Sequence, residues 1–190
     1  MKQRLLGFAL LTLAVALPAQ AANYVIDTAN QHAFIQFKIS HLGYSFVLGR
    51  FDRWSGNFSY DEKNPDAAKV AVEIDAASID TNSALRDKHL RSAKFFDTDK
   101  YPKIRFVSTS FKALADGKAL LKGNLTLHGV TRPVTIAVTE VGHGPDPWGG
   151  YRRGFTGTTT LTLREFNIDY NLGPTARTAK LFLSLEGVRK

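Results

Sequence analysis

Apolar and polar side chains alternate along most of the chain, with the period of two that is typical of half-buried strands. In the first clear example, Ile35, Phe37 and Ile39 alternate with Gln36 and Lys38. The same alternation recurs in seven further segments, at 54–60, 70–74, 104–106, 121–127, 134–138, 155–163 and 181–185. About eight strands separated by turns predict an all-β protein, either an antiparallel sandwich or a barrel.

The connections between these segments support one continuous domain. Residues 128–133 join two alternating runs, and Pro133 stands at the start of a strand, where its missing N–H is tolerated. Residues 142–150 hold so many Gly and Pro residues that we expect a loop there. The sequence shows no internal repeat and no linker, so we predict a single folded domain over 22–190.

One segment departs from the strand pattern. Residues 82–96 contain no Gly or Pro, and Asn82 or Ser83 can cap a helix, so the segment predicts one short helix inserted among the strands. At about 100° per residue, one face of this helix would carry a histidine together with mostly apolar side chains. The residues of that face are Leu85, His89, Ser92, Ala93 and Phe96.

The first 21 residues have the composition of a secretory signal peptide. Lys2 and Arg4 precede the apolar run 5–17, and the small residues of 18–21 provide a site for signal peptidase. We therefore predict cleavage after Ala21 and export to the periplasm. Loss of Lys2 and Arg4 lowers the formal net charge from +8 to +6, and export makes genomic nucleic acid an unsuitable partner for that charge.

The chain has no cysteine, which excludes disulfides, a thiol nucleophile, cysteine-ligated zinc and iron–sulfur clusters. No phosphate loop or dinucleotide-binding motif is present, so the sequence predicts no cofactor. The histidines also lack the spacing of metal ligands, and no metal site is predicted. They are His32, His41, His89, His128 and His143.

A hydrolase is the alternative that the residues leave open. The Gly-x-Ser-x-Gly elbow of many serine hydrolases is missing. A catalytic triad can nevertheless be assembled from distant residues, with His41 or His89 as the base and a nearby Ser and Asp. Ser45 lies close to His41 in the sequence, and Asp27 lies close to His32.

The positive charge has a local maximum in the predicted helix and the residues after it. Segment 86–105 contains seven basic and three acidic side chains, a local net charge of +4. Leu90, Phe95, Phe96 and Tyr101 are interleaved with these charges. Because Arg and Lys donate hydrogen bonds to phosphate oxygens, such a segment suits an amphiphile with an anionic head group, and it could also contact a membrane surface.

Several blocks of sequence resemble the YceI family of small exported bacterial proteins. The blocks are Ser40-His41-Leu42-Gly43-Tyr44-Ser45, Arg86-Asp87-Lys88-His89-Leu90-Arg91-Ser92, Leu125-Thr126-Leu127-His128-Gly129-Val130-Thr131 and Asp146-Pro147-Trp148-Gly149-Gly150. The resemblance extends over nearly the whole chain after residue 21. It implies an extended, lipocalin-like antiparallel β-barrel in the periplasm that binds a polyisoprenoid lipid. We therefore predict a lipid-binding protein and no enzyme, with the protease-like hydrolase as the alternative.

A barrel of about eight strands is just wide enough to enclose one slender ligand. For such a lipid, either an isoprenoid quinone or a prenyl phosphate, we expect an apolar cavity lined by phenylalanines, namely Phe34, Phe37, Phe46, Phe58, Phe95, Phe96 and Phe106. The expected polar residues at its mouth are His41, Arg86, His89 and Arg91.

Overall fold

The computed structural model describes residues 21–29, 32–170, 173 and 175–190. The predicted signal segment, apart from Ala21, lies outside these residues. The described part contains eleven strands and one α-helix. They are β1 (Ala22–Ile26), β2 (Phe34–His41), β3 (Ser45–Phe51), β4 (Trp54–Tyr60), β5 (Lys69–Asp75), β6 (Ile79–Asp80), α1 (Ala84–Arg91), β7 (Lys103–Ala113), β8 (Lys118–Leu127), β9 (Val130–Pro145), β10 (Tyr151–Thr162) and β11 (Thr178–Arg189).

Eight strands close into an antiparallel barrel in the order β1-β4-β5-β7-β8-β9-β10-β11. Closure comes from β1, which pairs with β4 on one side and with the last residues of β11 on the other, Ile26 opposite Gly187. The ladder between β10 and β11 runs from Arg152 opposite Val188 to Thr162 opposite Thr178. The prediction of an all-β antiparallel barrel with one helix is therefore confirmed.

On the side away from β10, strand β11 has two different partners along its length. Its last residues pair with β1, whereas residues 179–184 pair with β2, which in turn pairs with β3. Strand β3 adds the short β6 at Arg50 and Phe51. The β2–β3 hairpin therefore extends the barrel wall at one end, which we name the His41 end, while the opposite end, where β1 closes the barrel, is the Arg153 end.

Inward-pointing residues of the strands form the core, which is filled differently at the two ends. At the Arg153 end, the ring of Tyr24 stacks on Phe58 at 4.7 Å between centroids, and Phe155 meets Phe58 edge-on at 5.6 Å. These buried rings fill the barrel interior near β1. Towards the His41 end, by contrast, the apolar side chains line the wall and leave a hollow.

All eight segments with alternating side chains form strands, but the sequence failed to predict three. Strands β1 and β6 have only five and two residues. In β3, apolar residues occupy both faces, with Phe46 and Leu48 outside and Val47 and Phe51 inside, so the period of two disappears. The predicted loop at 142–150 is also too long, because β9 continues to Pro145, which pairs with Tyr151.

The helix is shorter than predicted and turned differently. It ends at Arg91, where the N–H of Ser92 donates to the carbonyl of His89. Leu85, expected on the buried face, is exposed, and Asp87 is buried in its place. The cause is a pair of hydrogen bonds, since the N–H and the hydroxyl of Thr81 both donate to Asp87 Oδ1, at 2.9 and 2.6 Å. These bonds hold that face of α1 against the barrel.

Within the described ranges, no helix has the length and apolar character needed to span a bilayer.

Candidate ligand cavity

A cavity of about 580 Å³ occupies the barrel interior towards the His41 end. Its wall is formed mainly by aliphatic and aromatic side chains, among them Val72, Ile104, Leu125, Ile136, Leu161 and Leu181. The few polar residues in the wall are Ser40, His41, Arg86, His89, Thr159 and Tyr170. Of these, all except Thr159 belong to β2, α1 or the segment before β11, so the polar groups collect at one end of an apolar volume.

Two glycines allow aromatic rings to lie along the wall. A β-carbon at Gly49 would overlap the ring of Phe37, and one at Gly123 would overlap the ring of Phe106. Each ring therefore packs over a glycine on the neighbouring strand, Gly49 directly opposite Phe37 and Gly123 diagonal to Phe106. The rings cover the backbone without crossing the interior, which keeps the barrel hollow where a phenylalanine could otherwise fill it.

His89 of α1 lies at the cavity wall as an exposed residue, and its imidazole rests against two aromatic rings. Its ring contacts Phe95 edge-on at 5.0 Å and Tyr170 at 5.6 Å, and Phe95 and Tyr170 lie 4.8 Å apart. Among the described residues, no side chain forms a hydrogen bond with the imidazole of His89. As far as the described side chains are concerned, its ring nitrogens are available to a polar group of a ligand.

Arg86 contributes a fixed positive charge to the same end of the cavity. Its Nε donates to Thr81 Oγ1 at 2.7 Å, and its Nη2 donates to the carbonyl of Thr81 at 2.6 Å. Thr81 is held in turn by Asp87. Because a guanidinium carries five N–H groups and always stays protonated, Arg86 keeps donors for an anionic or carbonyl oxygen after these two bonds.

Arg91 has a different place from the one expected at the mouth. Its Nε donates to the carbonyl of Ala77 at 2.7 Å and its Nη2 to that of Ile79 at 2.9 Å. Arg91 thus ties α1 to the chain between β5 and β6 and does not line the cavity. The expectation for Arg91 is corrected by helix geometry, because residues 86 and 89 lie on one face of α1 and residue 91 lies on another.

The predicted phenylalanines divide into two groups. Phe37, Phe95, Phe96 and Phe106 line the cavity, so a part in ligand binding stays a prediction for them, as it does for His41, Arg86 and His89. Phe58 belongs instead to the stacked rings of the Arg153 end. Phe34 and Phe46 point outward and are exposed, because their neighbours Ile35 and Val47 take the inward positions.

Some cations of the basic segment 86–105 are engaged within the protein. Besides Arg86 and Arg91, Lys103 and Arg105 are engaged, with Glu73 at 3.2 and 2.9 Å. Hydrogen bonds from Arg105 and Lys103 hold the pKa of the Glu73 carboxyl below its usual value. Lys94 of the same segment lies 6.0 Å from the ring centre of the cavity residue Tyr170, so a cation stays near the mouth.

The sequence did not predict the polar cluster at the Arg153 end. The Arg153 side chain is only 1% exposed, and it binds Glu140 at 2.7 Å and Glu62 at 2.5 Å. Its guanidinium lies 4.2 Å from the ring centre of Tyr60, whose pKa is raised by burial and by the charge of Glu140. The alternation along β10 could have indicated it, because Arg153, Phe155 and Gly157 are two residues apart and share the inward face.

Among the described residues, those considered for a hydrolase form no Ser–His–Asp chain of hydrogen bonds. Asp27 binds Arg152 at 3.0 Å and lies 3.7 Å from His32, in a cluster separate from the cavity wall. In the described part of the chain, no side-chain hydrogen bond joins His41 to Ser45, although the two residues face each other across β2 and β3. Asp27, His32 and Glu186 are close enough to suggest a metal site, but Arg152 already supplies the positive charge between the two carboxylates.

A closed eight-stranded antiparallel barrel with an apolar interior is the architecture of lipocalin-like proteins. The family model of the YceI-like domain matches residues 24–186, and the chain belongs to this family. A relative from Ectopseudomonas mendocina, named UPF0312 protein, is 54% identical over 172 residues, which cover 90% of each chain.

Two solved structures share the fold. BcnA of Burkholderia cenocepacia has a TM-score of 0.74 at 22% identity, over 85% of this chain and 98% of its own. A polyisoprenoid binding domain from Saccharophagus degradans, described as implicated in plant cell wall breakdown, has a TM-score of 0.65 at 18% identity, over 88% of this chain and 98% of its own.

Proposed function

We propose that this protein is a periplasmic carrier that holds a polyisoprenoid, either a quinone or a prenyl phosphate, in its barrel. The observation that carries the proposal is the apolar cavity of about 580 Å³ with polar groups gathered at one end. An isoprenoid has the matching form, a long apolar chain with one polar head. The ligand named for the Saccharophagus degradans domain of the same fold supports this choice of lipid class.

The size of the cavity sets how much of such a chain is enclosed. At roughly 30 Å³ per water-sized group, the cavity volume of about 580 Å³ accommodates about 20 carbons, or about four isoprene units. A longer chain would extend towards the His41 end, because the Arg153 end is filled by stacked rings. For a chain that the cavity encloses completely, the head group would lie near Arg86, His89 and Tyr170.

The energetics favour loading directly from a bilayer. At about 0.8 kcal/mol per methylene, about 20 carbons cost about 16 kcal/mol to expose to water, so passage through free solution would be slow. A bilayer and the cavity are both apolar, and transfer between them needs only a small difference in free energy. The protein therefore performs its role by binding and release, with no covalent step.

The test of this proposal is the lipid content of the protein purified from cells that make isoprenoids. We expect mass spectrometry of organic extracts to show a prenyl lipid. Replacing the wall residue Leu161 by tryptophan should lower the bound lipid about tenfold or more, since forcing extra atoms into an occupied interior costs about 1–3 kcal/mol.

The matched control is Val107→Trp, which adds the same indole on the exposed face of β7. Val107→Trp should retain the lipid content of the unmodified protein. Extracts without any prenyl lipid, or a Leu161→Trp variant that carries as much lipid as Val107→Trp, would contradict the proposal.

The proposed location has its own test. If residues 1–21 form a cleaved signal peptide, the protein isolated from the periplasmic fraction begins at Ala22 and has lost Lys2 and Arg4. Intact-mass measurement of that fraction gives the cleavage point directly. Recovery of an uncleaved chain in the cytoplasmic fraction would exclude export by this signal.

A further inference from the structure

The β2–β3 hairpin exposes an unusual number of large apolar side chains. Leu42 is 54% exposed, Tyr44 89%, Phe46 63% and Leu48 66%, and all four lie within seven residues. We call these four residues the hairpin surface. Exposed apolar residues are common singly, but a contiguous group of them marks a surface that binds something.

Two lysines lie on the outer face beside the hairpin surface. From Ala33 to Phe51 the sequence contains no Asp or Glu. The ammonium of Lys38 lies 4.3 Å from the ring centre of Phe46, and Lys180, the partner of Lys38 across β11 and β2, lies 5.2 Å from that of Phe182. Lysines and exposed rings therefore share the outer face of this part of the wall.

The hairpin surface is continuous with the mouth of the cavity. Leu42 belongs to both, since it is exposed and also lines the cavity, and its neighbour His41 does the same. The paired residues of β2 and β11 end at Ile39 and Ala179, so the tip of the hairpin extends beyond that ladder. A binding partner that covers the hairpin surface would therefore also contact the opening through which a lipid chain enters.

We propose that the hairpin surface docks on an anionic lipid bilayer. Tyr44 and Phe46 would insert at the level of the head groups, where aromatic side chains with polar surroundings are favoured. Lys38 and Lys180 would remain at the surface and attract anionic head groups. The inference rests on the proposed function for its purpose, which is transfer of a lipid between bilayer and cavity.

The same charges argue against a second copy of the chain as the occupant. A two-fold symmetric contact through the hairpin surface would place Lys38 and Lys180 of both copies close together, and segment 33–51 offers no carboxylate to pair with them. A bilayer rich in phosphatidylglycerol supplies the missing negative charges. The membrane contact predicted for segment 86–105 stays a prediction, and the hairpin surface is proposed as a further contact.

The experiment is flotation of the purified protein with vesicles of phosphatidylcholine mixed with phosphatidylglycerol, and with vesicles of phosphatidylcholine alone. The double variant Tyr44→Ser/Phe46→Ser should bind the anionic vesicles about tenfold more weakly or worse, since each residue loses contact with the interface. The double variant Lys38→Gln/Lys180→Gln should lose about fivefold per charge on anionic vesicles only. The matched control is Val107→Ser/Val141→Ser, which removes two exposed apolar residues elsewhere and should bind as the unmodified protein does.

The lipid extracted from each variant separates this inference from the proposed function. Variants that keep their bound lipid but no longer float with vesicles support docking. Flotation of Tyr44→Ser/Phe46→Ser equal to that of the control, with lipid still bound, would overturn docking and leave the carrier function standing. A dimer that dissociates in this variant without vesicles would assign the hairpin surface to self-association and would also overturn the inference.

Discussion

Replacing Arg153 by alanine is expected to lower the free energy of unfolding by about 3–5 kcal/mol, because it removes one partner of a buried ion pair. Arg153 is almost fully buried and binds Glu140, which is itself mostly buried, and it covers the ring of Tyr60. Without the guanidinium, the contact with His143 at 2.6 Å would be the one ion pair left to the Glu140 carboxylate among the described residues. In thermal unfolding, this loss corresponds to a decrease in Tm of about 6–20 °C for a domain of this size.

The control for Arg153 is Arg53, which binds Asp75 on the surface. The Arg53 side chain is 65% exposed, and an ion pair in such a place contributes about 1 kcal/mol or less. Arg53→Ala should therefore shift Tm by only a few degrees, at about 2–4 °C per kcal/mol. Equal shifts for the two variants would show that the Arg153 cluster is screened by solvent as effectively as a surface pair.

Much of the fold could be predicted from alternation because a barrel wall has one apolar and one polar face. The eight predicted segments follow this rule. The rule fails where an outer residue is apolar or an inner residue is charged. In β3 the outer residues Phe46 and Leu48 are apolar, and in β10 the inner residue Arg153 is charged. The first exception marks the hairpin surface, and the second marks the polar cluster at the opposite end.

The candidate site was less predictable, since each lining position depends on register. A shift of one residue exchanges inner and outer faces, and composition does not reveal which of Phe34 and Ile35 points inward. The errors in α1 come from the rotation of the helix about its axis. The buried Asp87 accepts a hydrogen bond from Thr81, and Leu85 is therefore exposed to solvent. The hollow also depends on Gly49 and Gly123, which are covered by the rings of Phe37 and Phe106. The sequence around these glycines does not show that a ring from another strand will cover them.

Replacing Gly49 by alanine is expected to reduce the bound lipid about tenfold or more. The new β-carbon would overlap the Phe37 ring and push it away from the wall into the cavity, at a cost of about 1–3 kcal/mol. No backbone atom is among the nearest contacts at this position, so the ring is the group that must move. Lipid per folded protein, measured by mass spectrometry together with a thermal melt, separates occlusion from unfolding.

The second substitution Phe37→Leu tests the cause. In the Gly49→Ala/Phe37→Leu protein the smaller side chain no longer covers position 49, so bound lipid should return to the level of the Phe37→Leu protein alone. Gly142→Ala is the matched control, since nothing lies within 4 Å of a β-carbon there, and it should change neither lipid content nor Tm. If Gly49→Ala keeps its full lipid content, or if Phe37→Leu fails to restore it, the lipid does not depend on the ring position that the glycine permits.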